Sequence, residues 1–467
     1  MAPESETHRT HPLTALIQGV LWGAGVAAAF AWQASDLADF SLWSLLAVPA
    51  GFVLGLGAGL VSWLFTRYVI DDDEIRVERG VIFRSSRRIP FERLQSVDIN
   101  EPLLARIVGL AELTMEMAGG SDSRTRLRFL TLAEARRLRR LLLARAHGTH
   151  PGEAGEPPAA EHRTVLHVVP ADQIVIGTLL SLDFAGTLFV AVASVAAALL
   201  TEGGWALLAL IIPASWGVAQ MVSTRIVAQW DFTLSRGDRG LRIERGLLSR
   251  SSQTIPYDRV QGVGVVEPIV WRRYDWARLD VDVAGYGSSS DESGGVSSTT
   301  LLPIASRDLA MRIVDELIPD PERGSGERVR PPRRSWPFAP VGWRYRWLSA
   351  NANTVTTATG WISRHRSIVP HHKVQSVEFG QGPLQRRLGL ASLHVHTPDG
   401  PVDAKIKHLD AATARTAAFE EVARARQARR TVGHPPLTAS SAPESSPPDT
   451  SRDASQPSGS TTFLGDP

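Results

Sequence analysis

The sequence predicts a multi-domain membrane protein in which four transmembrane α-helices form two hairpins and three small α+β β-barrels each end in a capping helix. Three observations carry this prediction: apolar runs long enough to cross a bilayer, short connections without Lys or Arg, and a segment pattern that recurs three times. The averages hide these features, because 43% hydrophobic residues and a formal net charge of +2 are typical of an ordinary soluble chain.

The apolar runs come in two pairs separated by a long Arg-rich stretch. The predicted spans are about 13–32, 42–65, 174–200 and 205–227. Each can cross a hydrocarbon core of about 30 Å. The connections within each pair carry no Lys or Arg, whereas the segments that follow are rich in Arg. This bias places both connections outside a bacterial plasma membrane, with the termini and all large segments in the cytoplasm.

Two features inside the runs suggest roles. Gly51, Gly55 and Gly59 repeat every four residues, a spacing that lets helix backbones pack closely in lipid. Asp183 is the one charge of the third run, and no Lys, Arg or His lies within 13–32, 42–65, 174–200 or 205–221 to pair with it. An intramembrane Asp is a functional hypothesis by default, and the alternatives are a protonated structural residue or an ion or proton site.

One pattern recurs outside the runs. A Gly is followed ten residues later by Pro, five further on by Gln, and after seven or eight more by a second Pro. The three sets are Gly80, Pro90, Gln95 and Pro102; Gly246, Pro256, Gln261 and Pro268; and Gly360, Pro370, Gln375 and Pro383. This is a tandem triplication.

Each copy has the local chemistry of short strands followed by one helix. The helices are predicted to open at Thr131, at Ser306 or Asp308, and at Asp410. Such a unit is a small antiparallel barrel or sandwich sealed by its C-terminal helix.

The repeated blocks Arg-Gly-X9-Pro, Arg-hydrophobic-Gln-(Ser/Gly)-Val and Pro-Leu-X2-Arg-X2-Gly-Leu-Ala resemble the membrane-flanked bacterial PH-like domain family of the YdbS type. The second copy departs from the last block, with Trp271 and Asp275 among its replacements. The resemblance implies three PH-like β-barrels beside transmembrane helices. It also implies scaffolding or interaction modules without established catalytic residues.

These observations divide the chain into segments. They are an N-terminal segment with the first hairpin at 1–66, PH-like domain one at 67–147, a linker at 148–173, the second hairpin at 174–227, PH-like domain two at 228–318, a linker at 319–340, PH-like domain three at 341–430 and a disordered tail at 431–467.

Clustered arginines on the strand–turn–strand of each copy are candidates for lipid or anion contact. They are Arg79, Arg84, Arg87, Arg88, Arg245, Arg250, Arg364 and Arg366. A basic side chain near an anionic leaflet gains roughly 1 kcal/mol. The alternatives are a specific head-group pocket and a solvated strand edge whose charges prevent edge-to-edge pairing.

Other chemistry is not indicated. The absence of cysteine excludes disulfides, cysteine-zinc sites and thiol catalysis. His394 and His396 alternate along a strand and share a face, but no obvious carboxylate completes a metal site, so they are interpreted as exposed strand histidines. No catalytic motif has its required context. We therefore expect no enzyme activity, no metal and no cofactor.

The predicted function is a scaffold that presents three cytoplasmic PH-like domains to protein partners or anionic lipid in cell-envelope homeostasis, with self-association among the expected contacts. Nucleic acid is disfavoured because the basic residues interleave with acids, and no small-molecule substrate is indicated. The alternative is a transport or efflux component that uses the four-helix bundle and Asp183.

Overall fold

The computed structural model describes residues 6–9, 22–23, 25–26, 49–57, 60–61, 67–70, 74–79, 85–117, 124–146, 163–199, 204–237, 240–284, 300–320, 322, 326–398 and 400–433. The strands in these ranges are β1 Glu6–Arg9, β2 Arg67–Ile70, β3 Glu74–Arg79, β4 Ser85–Pro90, β5 Leu94–Glu101, β6 Leu110–Met117, β7 Arg124–Thr131, β8 Thr164–Val168, β9 Thr233–Gly237, β10 Gly240–Arg245, β11 Arg250–Pro256, β12 Val260–Pro268, β13 Trp276–Val283, β14 Thr300–Ser306, β15 Trp347–Ala350, β16 Thr354–Thr359, β17 Ser363–Pro370, β18 Ser376–Gly380, β19 Leu390–His396 and β20 Ala404–Asp410. The helices are α1 Leu103–Ile107, α2 Leu132–Ala146, α3 Ala171–Leu179, α4 Leu182–Leu199, α5 Gly204–Val222, α6 Arg307–Leu317, α7 Pro383–Arg387 and α8 Ala411–Gly433.

The strands form three modules: β1–β7 are module one, β8–β14 are module two and β15–β20 are module three. A helix follows the last strand of each module, namely α2, α6 and α8. The predicted capping residues begin them: Thr131 Oγ1 accepts from the Glu134 amide at 3.3 Å, and Ser306 Oγ accepts from the Leu309 amide at 3.4 Å. Each module packs around its own cluster of buried apolar side chains, and Ile368 of module three joins the cluster of module two.

The prediction of three PH-like β-barrels did not include one feature of the sheets, namely that two of them run across module boundaries. Two sheets belong to one module each, with the orders β1-β2-β3-β4 and β18-β19-β20. The other two are shared, with the orders β7-β6-β5-β11-β10-β9-β8 and β14-β13-β12-β17-β16-β15. Within its own module, each of β5 and β12 has one edge whose backbone groups have no partner strand. Strand β11 of module two pairs with this edge of β5, and strand β17 of module three pairs with that of β12.

The prediction of four transmembrane helices is wrong. Among the described residues, no single helix is long and apolar enough to cross a membrane; α3 and α4 meet that requirement only together, as Ala171–Leu179 and Leu182–Ala197 with a bend of 59° between them. The runs 13–32 and 42–65 lie mostly outside the described residues.

The bend has a local cause in Ser181. Its hydroxyl donates to the Thr178 carbonyl at 2.7 Å and accepts from the Phe184 amide at 3.2 Å. The first contact helps to close α3, and the second satisfies an amide at the start of α4. The continuous run predicted over 174–200 is therefore two helices.

Helix α3 docks on module two rather than standing free. The Trp271 indole donates to the Gly177 carbonyl at 3.0 Å. A Cβ on Gly177 would lie 2.6 Å from Ile304 Cδ1, so a side chain at this position would require a shift. Trp271 is one of the residues by which the second repeat departs from the other two, and helix docking accounts for its presence.

Positive φ angles recur at equivalent repeat positions. Gly246 and Gly360 have φ of +112° and +90°, and a Cβ on either would lie 1.9 Å from a carbonyl oxygen. Gly109 and Gly389 have φ of +71° and +60°, and Asp275 occupies the same position in module two with φ of +52°. Asp tolerates this left-handed conformation better than most residues, so the second repeat keeps the turn without Gly.

The predicted linker 148–173 differs locally from the described chain. Strand β8 lies inside the predicted linker 148–173 and pairs with β9. Strand β1 pairs with β2 in the same way, so the first two strands of modules one and two flank the apolar runs. The predicted disordered tail lies, from residue 434 onward, outside the described residues.

Candidate functional site: the inter-module junctions and their basic strands

The junction of modules one and two is a strand pair reinforced by side chains. Strand β11 pairs with β5, with Arg250 opposite Glu101. Arg106 Nη1 donates to the Leu247 carbonyl at 2.8 Å. Arg139 of α2 donates both to the Val97 carbonyl at 3.0 Å and to Thr254 Oγ1 at 3.1 Å. Module one therefore holds module two through backbone and side-chain contacts.

The junction of modules two and three repeats this arrangement. Strand β17 pairs with β12, with Arg364 opposite Glu267. Arg272 Nη2 donates to the Trp361 carbonyl at 2.6 Å. Arg364 follows the repeat Gly by four residues, as Arg250 does. The two junctions thus share one register and one arginine-to-carbonyl contact.

Glu267 is the charged centre of the second junction. Only 3% of the residue is exposed, and its carboxylate lies 3.2 Å from Arg307 Nε and 3.5 Å from Arg364 Nη1. A buried carboxylate is stable only with such partners. The pairing therefore fixes the register as well as the charge balance.

Asp282 adds a second contact between modules two and three. Its Oδ1 accepts from the Val402 amide at 3.0 Å, and its Oδ2 accepts from Thr397 Oγ1 at 3.4 Å. Burial raises the pKa of Asp282 to about 7, against these two hydrogen bonds, which lower it.

The two terminal strands are left with open edges. Within the ranges the structure describes, β4 pairs only with β3, and β18 pairs only with β19. By position in the repeat, β4 is the equivalent of β11 and β17, and β18 is the equivalent of β5 and β12. Module one therefore carries one unpaired half of such a junction, at β4, and module three carries the other half, at β18.

Asp183 lies in the first turn of α4 rather than deep in a continuous span. Its side chain is 73% exposed, and its carboxylate is 3.4 Å from Arg225 Nη2. Arg225 lies beyond the uncharged stretch that ends at Met221, but it follows α5 closely enough to reach Asp183. The pair ties the start of α4 to the residues after α5.

The helix-packing glycines lie in a segment that is only partly described. Gly51 and Gly55 are buried, and a Cβ on Gly51 would lie 2.7 Å from Val26 Cγ2. Gly59 lies outside the described residues. The helical residues around Gly51 and Val26 are thus in close contact.

His394 and His396, which the sequence analysis interprets as exposed strand histidines without a carboxylate partner, lie beside the carboxylate of Glu378. Glu378, His394 and His396 place one ligand atom each within 4.8 Å of one another. Glu378 lies on β18, directly opposite His394 of β19. Only the strand register brings this carboxylate to the two histidines, so sequence spacing alone did not reveal it.

The sequence model of the family described as bacterial PH domain matches three segments of the chain, residues 17–146, 180–320 and 333–430. These matches cover most of the sequence, and one of them falls on each of the three modules. The chain belongs to the bacterial PH domain family.

The chain is similar to the "UPF0699 transmembrane protein YdbT" of Bacillus subtilis (strain 168), with 22% identity over 289 residues. That alignment covers 56% of this chain and 57% of YdbT. The chain therefore matches little more than half the length of this relative.

The predicted lipid-contact arginines occupy different environments in the bacterial PH modules. Arg88 and Arg250 have side chains 66% and 48% exposed. Arg364 belongs to the Glu267 pair, and Arg366 is half-buried beside Met311. Arg84 lies outside the described residues, and Arg79 and Arg87 are described only as strand positions.

Arg245 does not fit contact with a lipid surface, because it is 7% exposed. Burial lowers the pKa of its guanidinium to about 10. The idea that strand charges prevent edge-to-edge pairing is wrong for β11 and β17, since both strands pair with the preceding module.

Proposed function

We propose that this protein is a non-enzymatic, membrane-associated scaffold in which three bacterial PH modules are fused edge to edge and extend, through their terminal strands, to a second copy of the chain. The observation that carries the proposal is the junction itself. It occurs twice with the same register, and its two halves are left open at β4 and β18.

Exposed apolar side chains support membrane association. Phe189 of α4 and Trp216 of α5 are each 72% exposed, and Val190 and Val192 are each 60% exposed. An apolar surface of this kind on adjoining helices is typical of contact with a membrane or a protein. The similar protein YdbT is a transmembrane protein by name. We assign the bilayer to this helical region and the modules to the cytoplasm, following the Arg bias of the sequence.

The absence of cysteine allows a clean test of this location. A single cysteine at the exposed position Ser249, in module two, should react with a membrane-impermeant maleimide only after the cells are permeabilised. Labelling in intact cells would contradict the cytoplasmic assignment, and recovery of the protein in the soluble fraction of lysed cells would contradict membrane association.

The partner that best fits the open edges is another copy of the chain. Continuing the shared register places Arg87 of one copy opposite Glu378 of the next, and Ser86 opposite Phe379. Opposite charges facing each other across a strand pair are favourable. The resulting sheet, β20-β19-β18-β4-β3-β2-β1, would have seven strands, like the sheet shared by modules one and two.

Anionic lipid is the second contact that we assign to the scaffold, through the exposed side chains of Arg88 and Arg250. Each would gain roughly 1 kcal/mol near an acidic leaflet. Replacing both by Gln should reduce sedimentation of the purified protein with anionic vesicles and leave its binding to neutral vesicles unchanged. Equal loss on both kinds of vesicle would contradict lipid contact by these residues.

A charge swap tests self-association. Glu378→Arg places like charges opposite each other, and Arg87→Glu does the same from the other side. Each should weaken assembly of the detergent-solubilised full chain roughly fivefold, the equivalent of about 1 kcal/mol for a cross-strand pair. The combined variant restores opposite charges and should recover assembly, as measured by light scattering over a range of concentrations.

The decisive comparison is between the assembly of the combined variant and the assembly of each single variant. If both single variants assemble like the natural protein, the terminal strands do not pair. If the singles weaken assembly and the combined variant is no better than either, the two residues do not face each other, and the proposed register is wrong.

A further inference from the structure

The side chains of Glu378, His394 and His396 form a compact ligand set on module three. The carboxylate Oε2 of Glu378 lies 3.0 Å from His396 Nε2 and 3.9 Å from His394 Nδ1. The two imidazole rings have centroids 3.8 Å apart. All three side chains retain access to solvent, since the exposed fractions are 62% for Glu378, 36% for His396 and 23% for His394.

Strand geometry explains why the three groups converge. His394 and His396 are two residues apart on β19, so both point to the same face of the sheet. Glu378 is directly opposite His394 and diagonal to His396. The β18–β19 pair therefore presents two nitrogen ligands and one oxygen ligand from a rigid backbone, without help from a loop.

Asp403 supplies the outer contact that a metal-binding histidine usually has. Its Oδ1 lies 2.9 Å from His394 Nε2. This contact directs Nδ1 of the same ring toward Glu378. A carboxylate that holds the other ring nitrogen orients the imidazole and raises its basicity as a ligand.

From this arrangement we propose that module three binds one Zn²⁺ through Glu378, His394 and His396, with Asp403 orienting His394. Two imidazoles and a carboxylate are a ligand set typical of zinc with one position left open. Glu378 and His394 also line a cavity of about 600 Å³, together with Lys405 and Lys407. A water or an anion at the open position completes a tetrahedral site.

The test is metal titration of the untagged full chain in detergent, with Zn²⁺ in competition with a chromophoric chelator and with Co²⁺ as a spectroscopic probe. The natural protein should bind one equivalent of Zn²⁺ tightly, and Co²⁺ should give the intense visible absorption of a tetrahedral centre. His396→Gln should abolish both signals. Asp403→Asn should retain the centre but weaken Zn²⁺ binding about 10- to 100-fold.

His372→Gln is the matched control, because His372 is a partly buried histidine of the same module that is not one of the three ligands, and it should leave the titration unchanged. Histidine variants are used rather than a Glu378 variant because Glu378 also belongs to the open edge of β18, where a substitution also changes the proposed self-association. The proposal is overturned if His396→Gln keeps the tight equivalent, if Co²⁺ gives only weak octahedral absorption, or if His372→Gln weakens binding equally, which indicates adventitious binding to surface histidines.

Discussion

Removing both arginines that pair with Glu267 should open the junction between modules two and three. The change is Arg307→Gln together with Arg364→Gln, compared with each single variant. In the natural protein the Glu267 carboxylate lies 3.2 Å from one guanidinium and 3.5 Å from the other, and its side chain is only 4% exposed.

The expected magnitudes follow from this burial. A single variant leaves one partner in place, and the arginine side chains are 44% and 29% exposed, so each single change should cost about 1 kcal/mol. The double variant leaves a buried carboxylate without either partner, which costs about 3–5 kcal/mol. The two changes should therefore be non-additive by at least about 1 kcal/mol.

Hydrogen exchange of the full chain measures the opening directly. The amides of 263–268 and 363–368 should exchange roughly 100- to 4,000-fold faster in the double variant, since each 1.4 kcal/mol is a factor of ten. The β5–β11 junction serves as an internal control and should not change. Additive single effects, or a total effect under about 1 kcal/mol, would refute the argument that Glu267 holds this register.

Three further predictions concern single positions. Burial raises the pKa of Asp282 to about 7 and so favours its protonated carboxyl. The contribution of this carboxyl to the stability of the folded protein is therefore complete below about pH 4 and is lost as the pH rises to about 7. Hydrogen exchange at Val402, corrected for its intrinsic pH dependence, should rise over that window in the natural protein and not in Asp282→Asn. Gly246→Ala should lower the thermal unfolding midpoint, because its Cβ would lie 1.9 Å from the Ser249 oxygen, at a cost of more than about 1 kcal/mol; Asp275→Gly should not lower it. Trp271→Phe removes the hydrogen bond to Gly177, a loss of about 1–3 kcal/mol, and should speed proteolysis within α3.

The repeat and its local structure were predictable from sequence because turns, strand alternation and helix caps depend on neighbouring residues. Gly246 has the positive φ of a tight hairpin turn, and Ser306 begins α6 as its capping chemistry indicates. These features need no knowledge of what lies across the sheet.

The sharing of sheets was not predictable, because pairing depends on residues far apart in the chain. The sequence suggests lipid or anion contact for Arg250 and Arg364, with protection of a free strand edge as an alternative, but Glu101 and Glu267 of the preceding modules stand opposite them. The same reason hid the contact of Glu378 with His394. Asp183 was misplaced because a side chain at position 181 breaks the helix that hydropathy alone treats as continuous.

Disulfide trapping in native membranes tests the central claim most directly, namely that copies of the chain join by the same strand register as the modules within it. In this cysteine-free chain, Ser86→Cys combined with Phe379→Cys should give dimers and longer products on mild oxidation. Ser252→Cys with Ile99→Cys, the corresponding internal pair, should cross-link within one chain. Moving one cysteine from Phe379 to Gly380, on the opposite face, should abolish the longer products. Absence of the ladder while the internal pair forms, or equal products from a single-cysteine variant, would contradict head-to-tail pairing.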